Sequence, residues 1–170
     1  ADIKFDGDTA VILVVDDEAH NRNVIAAQLR NEGYEIVSVS SGEEALNEID
    51  HRLPDLVVLD VMMPGISGFD VAEILKAEAR TANIPIIMLT ALGDAESRLA
   101  ALSNGVEEFL TKPVAKAELV MRVRNLLKLK RYQNALERYS TLLESRVADS
   151  AGKLESASSR LSQMESQLLQ

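Results

Sequence analysis

The sequence predicts an α/β fold: a five-stranded parallel, doubly wound sheet whose last helix extends into a coiled coil. Three observations predict it. Short apolar runs alternate five times with segments of helical period, the pattern of parallel strands joined by right-handed crossovers. The central runs "AVILVV" (10–15), "DLVVL" (55–59) and "IPIIMLT" (84–90) are continuously apolar, as expected of strands covered by helices on both faces. After Pro113 no proline interrupts an apolar repeat of 3.5 residues, the period of a coiled coil.

Each element can be justified in order. Residues 10–15 form the first buried strand, and 19–31 a helix ending near Gly33. "YEIVSVS" (34–40) is the second strand. "SGEEALNEI" (41–49) is a helix with Ser41 as N-cap and Glu44 three residues on, the spacing of a capping box. Residues 55–59 form the third strand behind Pro54, and 68–79 the next helix. The fourth strand is 84–90, followed by a helix over 94–104 ending at Gly105. "VEEFL" (106–110) is the fifth strand, and the last helix follows Pro113.

That last helix does not stop. With Leu126 at position a, the a series continues through Gln133, Ser140, Val147, Leu154, Leu161 and Leu168. Position d holds Leu129, Leu136, Leu143, Ser150, Ala157 and Met164. A lone helix of this length, roughly 80 Å at 1.5 Å per residue, would outreach a domain of this size. A parallel homodimer is therefore expected, with Arg160 at g facing Glu165 at the next e. Gln133, Ser140 and Ser150 are polar core positions, and Gly152 is the expected weak point, since glycine costs about 1 kcal/mol relative to alanine inside a helix. The expected division is a tail over 1–9, a domain over 10–130 and a coiled-coil linker helix over 131–170, cut short of an output domain.

Composition narrows the function. The chain has 170 residues, no cysteine and two histidines, His20 and His51. Disulfides, thiol catalysis and Cys- or His-rich metal sites are excluded, and a reducing cytoplasm suits the chain. The first ten residues have no signal-peptide pattern, and no apolar run is long enough to span a bilayer, so no membrane contact is expected. Residues 1–112 carry net −13 and residues 113–170 net +4. An acidic domain lacks the positive surface that dominates DNA affinity, so no direct nucleic-acid partner is expected. The cluster Arg122, Arg124, Lys128, Lys130 and Arg131 reads as a solvated helix face.

The chemistry lies where strands end. Asp16, Asp17 and Glu18 follow the first strand, Asp60 the third, Thr90 the fourth and Lys112 the fifth. The carboxyl ends of a parallel sheet share one edge, and ligands bind there at the topological switch point. Three carboxylates crowded in one crevice repel one another, and a hard divalent cation such as Mg2+ relieves that. A carboxylate can also accept a phosphoryl group. Lys112 and Thr90 would then meet its oxygens. Alone, each of these residues is an ordinary turn, cap or surface residue; together they read as phosphoryl transfer onto a carboxylate.

"ILVVDDE", "DLVVLDVMMPGISGFD", "IPIIMLTA" and "EEFLTKP" resemble the receiver domain of two-component response regulators over about residues 10–130. The resemblance implies a flavodoxin-like sheet of order 2-1-3-4-5. It implies Asp60 as phosphoacceptor, with Mg2+ (or Mn2+) bound by Asp17, Asp60 and the backbone carbonyl of Met62, and supported by Asp16. It makes Thr90 and Lys112 the phosphoryl contacts, Thr90 with Phe109 the switch pair, and Lys112–Pro113 a candidate cis peptide. It names a histidine kinase or phosphotransfer protein as donor. No histidine follows residue 51, so the coiled coil is not itself a kinase dimerisation domain. The linker resembles those preceding cyclic di-GMP phosphodiesterases, diguanylate cyclases or PP2C-type phosphatases, none of whose catalytic sequence is present, so the chain itself is expected to be a signalling domain and not an enzyme. A phosphorylation-independent adaptor or dimerisation module is the alternative. A haloacid-dehalogenase phosphatase would want Asp-x-Asp, whereas Met62 stands two residues after Asp60.

Overall fold

Strands that are apolar on both faces need helices on both faces, and the computed structural model supplies them. It describes residues 9–91, 99, 103 and 105–169. The strands are β1 (Val11–Val15), β2 (Glu35–Val39), β3 (Leu56–Asp60), β4 (Ile86–Thr90) and β5 (Glu108–Thr111). The described helices are α1 (Ala19–Arg30), α2 (Gly42–His51), α3 (Gly68–Ala77) and α4 (Lys116–Leu168). The helix expected over 94–104 lies outside the described residues, apart from Leu99 and Ser103.

All strand pairs are parallel, in the order β2-β1-β3-β4-β5. Successive side chains of a strand point to opposite faces, and the two core layers follow that alternation. Leu13, Val15, Val57, Leu59, Ile86 and Met88 pack against Ala45 and Ile49 of α2 and Val71, Ala72 and Leu75 of α3. Ile12, Val14, Val58, Ile87 and Leu89 pack against Ile25 and Leu29 of α1 and Leu119, Val123, Leu126 and Leu127 of α4. Each fully buried side chain of this size stabilises the fold by about 1.5–3 kcal/mol. The central strands are therefore rigid supports for whatever stands at their ends.

Element ends differ from expectation for identifiable reasons. β3 begins at Leu56 because the Asp55 carboxylate accepts the Val11 amide at 2.8 Å, while the Asp55 amide donates to the Val11 carbonyl at 2.7 Å. β4 begins at Ile86, after Pro85, which has no N–H to donate. α3 stops at Ala77, where Thr81 Oγ1 donates to the Leu75 carbonyl at 2.6 Å and Glu78 is extended.

The capping box foreseen at Ser41 is only half present. Ser41 Oγ accepts the Glu44 amide at 3.1 Å, but the Glu44 carboxylate takes the amide of Ser40, at 2.9 Å. A complete box stands instead at α3, where Ser67 and Asp70 satisfy each other's backbone amides.

At the sheet edge where β4 and β5 begin, Lys76 Nζ donates to the carbonyls of Ala82 (3.1 Å) and Ile84 (2.9 Å) and to Glu107 Oε1 (2.6 Å). The other Glu107 oxygen accepts the Ile86 amide at 2.7 Å. One lysine and one glutamate thus tie α3, β4 and the start of β5 together.

By its contacts the chain divides into residues 1–130 and 131–170. In the first unit, three members of the basic cluster have intramolecular partners. Arg122 pairs with Glu108 at 3.0 Å, Arg124 with Glu32 at 3.3 Å, and Lys130 donates to the Asp55 carbonyl at 3.2 Å. In the second unit every described residue is exposed and helical up to Leu168. The helix runs unbroken through Gly152, whose carbonyl accepts Ser156 Oγ at 3.0 Å.

Candidate functional site

The order β2-β1-β3 places the switch point between β1 and β3, where the chain has crossed from one side of β1 to the other. β1 and β3 run in register to Val15 and Leu59, so Asp16 and Asp60, each one residue further, emerge side by side. Oxygens of Asp16, Asp17 and Asp60 all lie within 4.8 Å of one another. Asp16 and Asp60 are buried, at 0% and 5% exposure, whereas Asp17 is exposed.

Lys112, just beyond β5, reaches into this cluster. Its Nζ is 3.1 Å from Asp16 Oδ2 and 3.2 Å from Asp60 Oδ2. The remaining oxygens have backbone donors: Glu18 N to Asp16 Oδ1 at 2.8 Å and, more weakly, Met62 N to Asp60 Oδ1 at 3.4 Å.

Burial pushes the Asp60 carboxyl above its ordinary range; Lys112 pulls it back and Asp16 pushes it further up. Burial alone would lower Lys112, but its hydrogen bonds and charge contacts with Asp16 and Asp60 outweigh that, and the net shift is upward. Three carboxylates face one ammonium, leaving excess negative charge on hard oxygen donors. That donor set fits Mg2+, which binds through one or two carboxylates and keeps several waters.

Thr90 ends β4 and is buried, at 8% exposure; its carbonyl accepts the Lys112 amide at 2.7 Å. Phe109, opposite Met88 in the β4–β5 pairing, is half-buried against the α2–α3 side of the core. The Lys112–Pro113 peptide is cis. Met62 is 73% exposed at the mouth of the site.

Two supports were not foreseen. Arg22 Nη1 donates to the Asp16 backbone carbonyl at 2.6 Å, holding the β1–α1 loop from the first turns of α1. The only signal for it was a long cation six residues after the aspartate. Gly68 is the first residue of α3, and a β-carbon there would collide with the Asp60 backbone carbonyl. The Gly68 amide donates to the Val61 carbonyl at 3.0 Å. The helix thus starts directly against the end of β3, an approach open to glycine alone. Gly65, with φ of 80°, makes the preceding turn.

Among the described residues no helix is long and apolar enough to cross a membrane. A family model described as "Response regulator receiver domain" matches residues 12–124. The chain is 46% identical over 117 residues to the "Probable transcriptional regulator ycf27" of Cyanophora paradoxa, covering 69% of this chain and 48% of that protein. It is 43% identical over 117 residues to the phosphate regulon transcriptional regulatory protein PhoB of Pseudomonas aeruginosa, covering 69% and 51%. The chain thus spans about half the length of the curated relatives it matches. Among solved structures, the receiver domain of the Francisella response regulator 1452 has a TM-score of 0.66 at 32% identity, covering 71% of this chain and 98% of that one. NtrX from Brucella abortus has a TM-score of 0.71 at 28% identity, covering 76% and 29%. The sheet order, the acidic crevice at its switch point and the family match over residues 12–124 agree, and this chain belongs to the response regulator receiver domains of two-component systems.

Proposed function

We propose that Asp60 is the phosphoacceptor of a two-component relay in the cytoplasm, with a histidine kinase or phosphotransfer protein as donor. An Asp60 carboxylate oxygen attacks the phosphorus, the bond from phosphorus to the donor breaks, and the donor keeps that electron pair. The product is an acyl phosphate on Asp60. Asp16, Asp17, Asp60 and the Met62 carbonyl are the groups to hold Mg2+, which when bound would screen charge on the phosphoryl oxygens. Lys112 moves from bridging Asp16 and Asp60 to meeting the phosphoryl group, and Thr90 offers its hydroxyl from the end of β4. Phe109, on β5 two residues before Thr111, the strand partner of Thr90, is the other half of the switch pair and carries the change along β5.

The observation that carries this reading is the Lys112 bridge to Asp16 and Asp60 in a crevice of three carboxylates. It is a stored arrangement of charge that a phosphoryl group and a cation can replace. In this reading residues 10–130 are the receiver and 131–170 a linker that transmits the change through a parallel homodimeric coiled coil to an output function. Direct nucleic-acid contact by residues 1–112 is not part of it, because net −13 opposes a phosphate backbone.

Incubation with acetyl phosphate and Mg2+, followed by intact-mass measurement, tests the reading. A single phosphoryl adduct is expected, absent in Asp60→Asn and absent when EDTA replaces Mg2+. An adduct on Asp60→Asn would refute it, and no adduct on the wild type would favour the phosphorylation-independent adaptor.

A further inference from the structure

The exposed apolar residues of α4 do not follow one heptad from end to end. Leu129, Tyr132, Leu136, Tyr139 and Leu143 are all exposed, with Leu136 at 68% and Tyr139 at 61%. Their spacing is 3-4-3-4, an unbroken a–d alternation with Leu129 at a. The next apolar residue four further on is Val147, at 68% exposure, whereas the position three further on is Arg146. From Val147 the alternation resumes through Leu154, Ala157, Leu161, Met164 and Leu168, with Ser150 at the first d. Two consecutive steps of four at 139–143–147 amount to a four-residue insertion in the repeat, a stutter, which locally unwinds a coiled coil.

A single heptad frame through the whole helix keeps Leu129, Leu136 and Leu143 in the core but fills the neighbouring core positions with Gln133 and Ser140. The stuttered frame replaces those two with Tyr132 and Tyr139. Aromatic side chains bury large apolar area with their hydroxyls left at the rim, so the stuttered frame removes more apolar surface from water.

We propose that a second copy of this chain pairs in parallel along α4 through a seam that changes register at Leu143, with Tyr132 and Tyr139 in its core. This rests on the dimer reading above and specifies which faces meet. The occupant is a second copy for three reasons. Every described residue beyond Lys130 is exposed. The seam covers about 60 Å of helix at 1.5 Å per residue. In the second frame Arg160 falls at g and Glu165 at the following e, opposite charges that face each other only when like ends of the two helices lie together. Leu143 serves both frames, as a in the first and d in the second. The two frames for residues 129–143 therefore differ by a modest rotation of each helix about its own axis.

The chain has no cysteine, so single cysteines in the full chain report the seam by oxidative cross-linking. Val147→Cys and Leu161→Cys lie in the core of either frame and read the parallel dimer itself. Tyr132→Cys and Tyr139→Cys, each retaining the other tyrosine, should cross-link several-fold faster than Gln133→Cys and Ser140→Cys, which retain both. Gln133→Cys or Ser140→Cys cross-linking as fast as the tyrosine positions, with Val147→Cys and Leu161→Cys linking well, overturns the register change and leaves the dimer standing. Failure of Val147→Cys and Leu161→Cys to link overturns the parallel dimer and the register change with it.

Discussion

Lys112 Nζ stands 3.2 Å from Asp60 Oδ2, and through that pair the end of β5 is held to the end of β3 across β4. Lys112→Met removes the one cation among the described residues that meets both Asp16 and Asp60, and the donor expected to meet a phosphoryl oxygen. By analogy with the loss of one preorganised donor, the rate of phosphorylation by acetyl phosphate should fall about 10²-fold. Stopped-flow or mass measurement at saturating Mg2+ checks it, and a rate within a few-fold of wild type would contradict the assigned role.

Asp60 carries a stability cost that depends on pH. Burial, outweighing the pull of Lys112, raises its folded-state pKa above the unfolded value. The folded protein therefore holds the proton more tightly, and the stability from this group is present below the unfolded pKa and lost as pH rises through the folded one. At neutral pH without metal, Asp60→Asn should raise the melting temperature by a few degrees and flatten its fall across that acidic window. Calorimetry between mildly acidic and neutral pH decides it; an unchanged or lowered melting temperature would count against the burial argument. Mg2+ should raise the melting temperature of the wild type more than that of the variant.

Gly68 is pressed against the Asp60 backbone. Gly68→Ala places a methyl group on the Asp60 carbonyl, and overpacking of this kind costs about 1–3 kcal/mol. Urea unfolding should show that loss together with slower phosphorylation, because the strand end that aims Asp60 must shift. Normal stability would mean that α3 can start further from β3 than it does here.

Ser67→Ala, one residue away, separates helix stability from chemistry. It removes the side-chain acceptor of the Asp70 amide, a loss of about 1 kcal/mol. Phosphorylation kinetics should be unchanged, since the Ser67 side chain contacts Asp70 and not the acidic crevice. The Ser67 backbone and hydroxyl hold the Asp70 carboxyl below its ordinary range. Its contribution is thus present above the unfolded pKa and lost as pH falls through the folded one. Acid unfolding of Ser67→Ala should begin at a higher pH than in wild type, and coincident acid transitions would argue against the capping box.

Much of this was legible in the sequence because it rests on period and position. Continuous apolar runs marked β1, β3 and β4, and a polar residue at each strand end marked the crevice before any distance was known. Legibility failed where a side chain acts on backbone far away in sequence. Nothing local to Asp55 says that it will take the Val11 amide, 44 residues away. Nothing local to Glu107 says that it will take that of Ile86. The cap at Ser67 was missed because the residue three on is Asp70, one carbon shorter than the glutamate of the usual box. The register proposed for α4 departs from the single expected heptad because Leu129, Leu136 and Leu143 satisfy two frames, and only their flanking tyrosines distinguish them.

The tie between Lys76 and Glu107 gives β5 the mechanics of a cantilever. Its root is clamped, with the Glu107 carboxylate on Ile86 and Lys76 and the lysine on two carbonyls besides. Its tip leads into Lys112, whose side chain is tied to Asp16 and Asp60, the groups that the proposed phosphorylation would rearrange. On the proposed phosphorylation the tip should shift with the change of charge at the crevice while the root stays put, with Phe109 between the two. Amide exchange should then stay slow at Ile86 and respond to phosphorylation at Lys112; an equal response at both would mean the strand moves as a rigid bar.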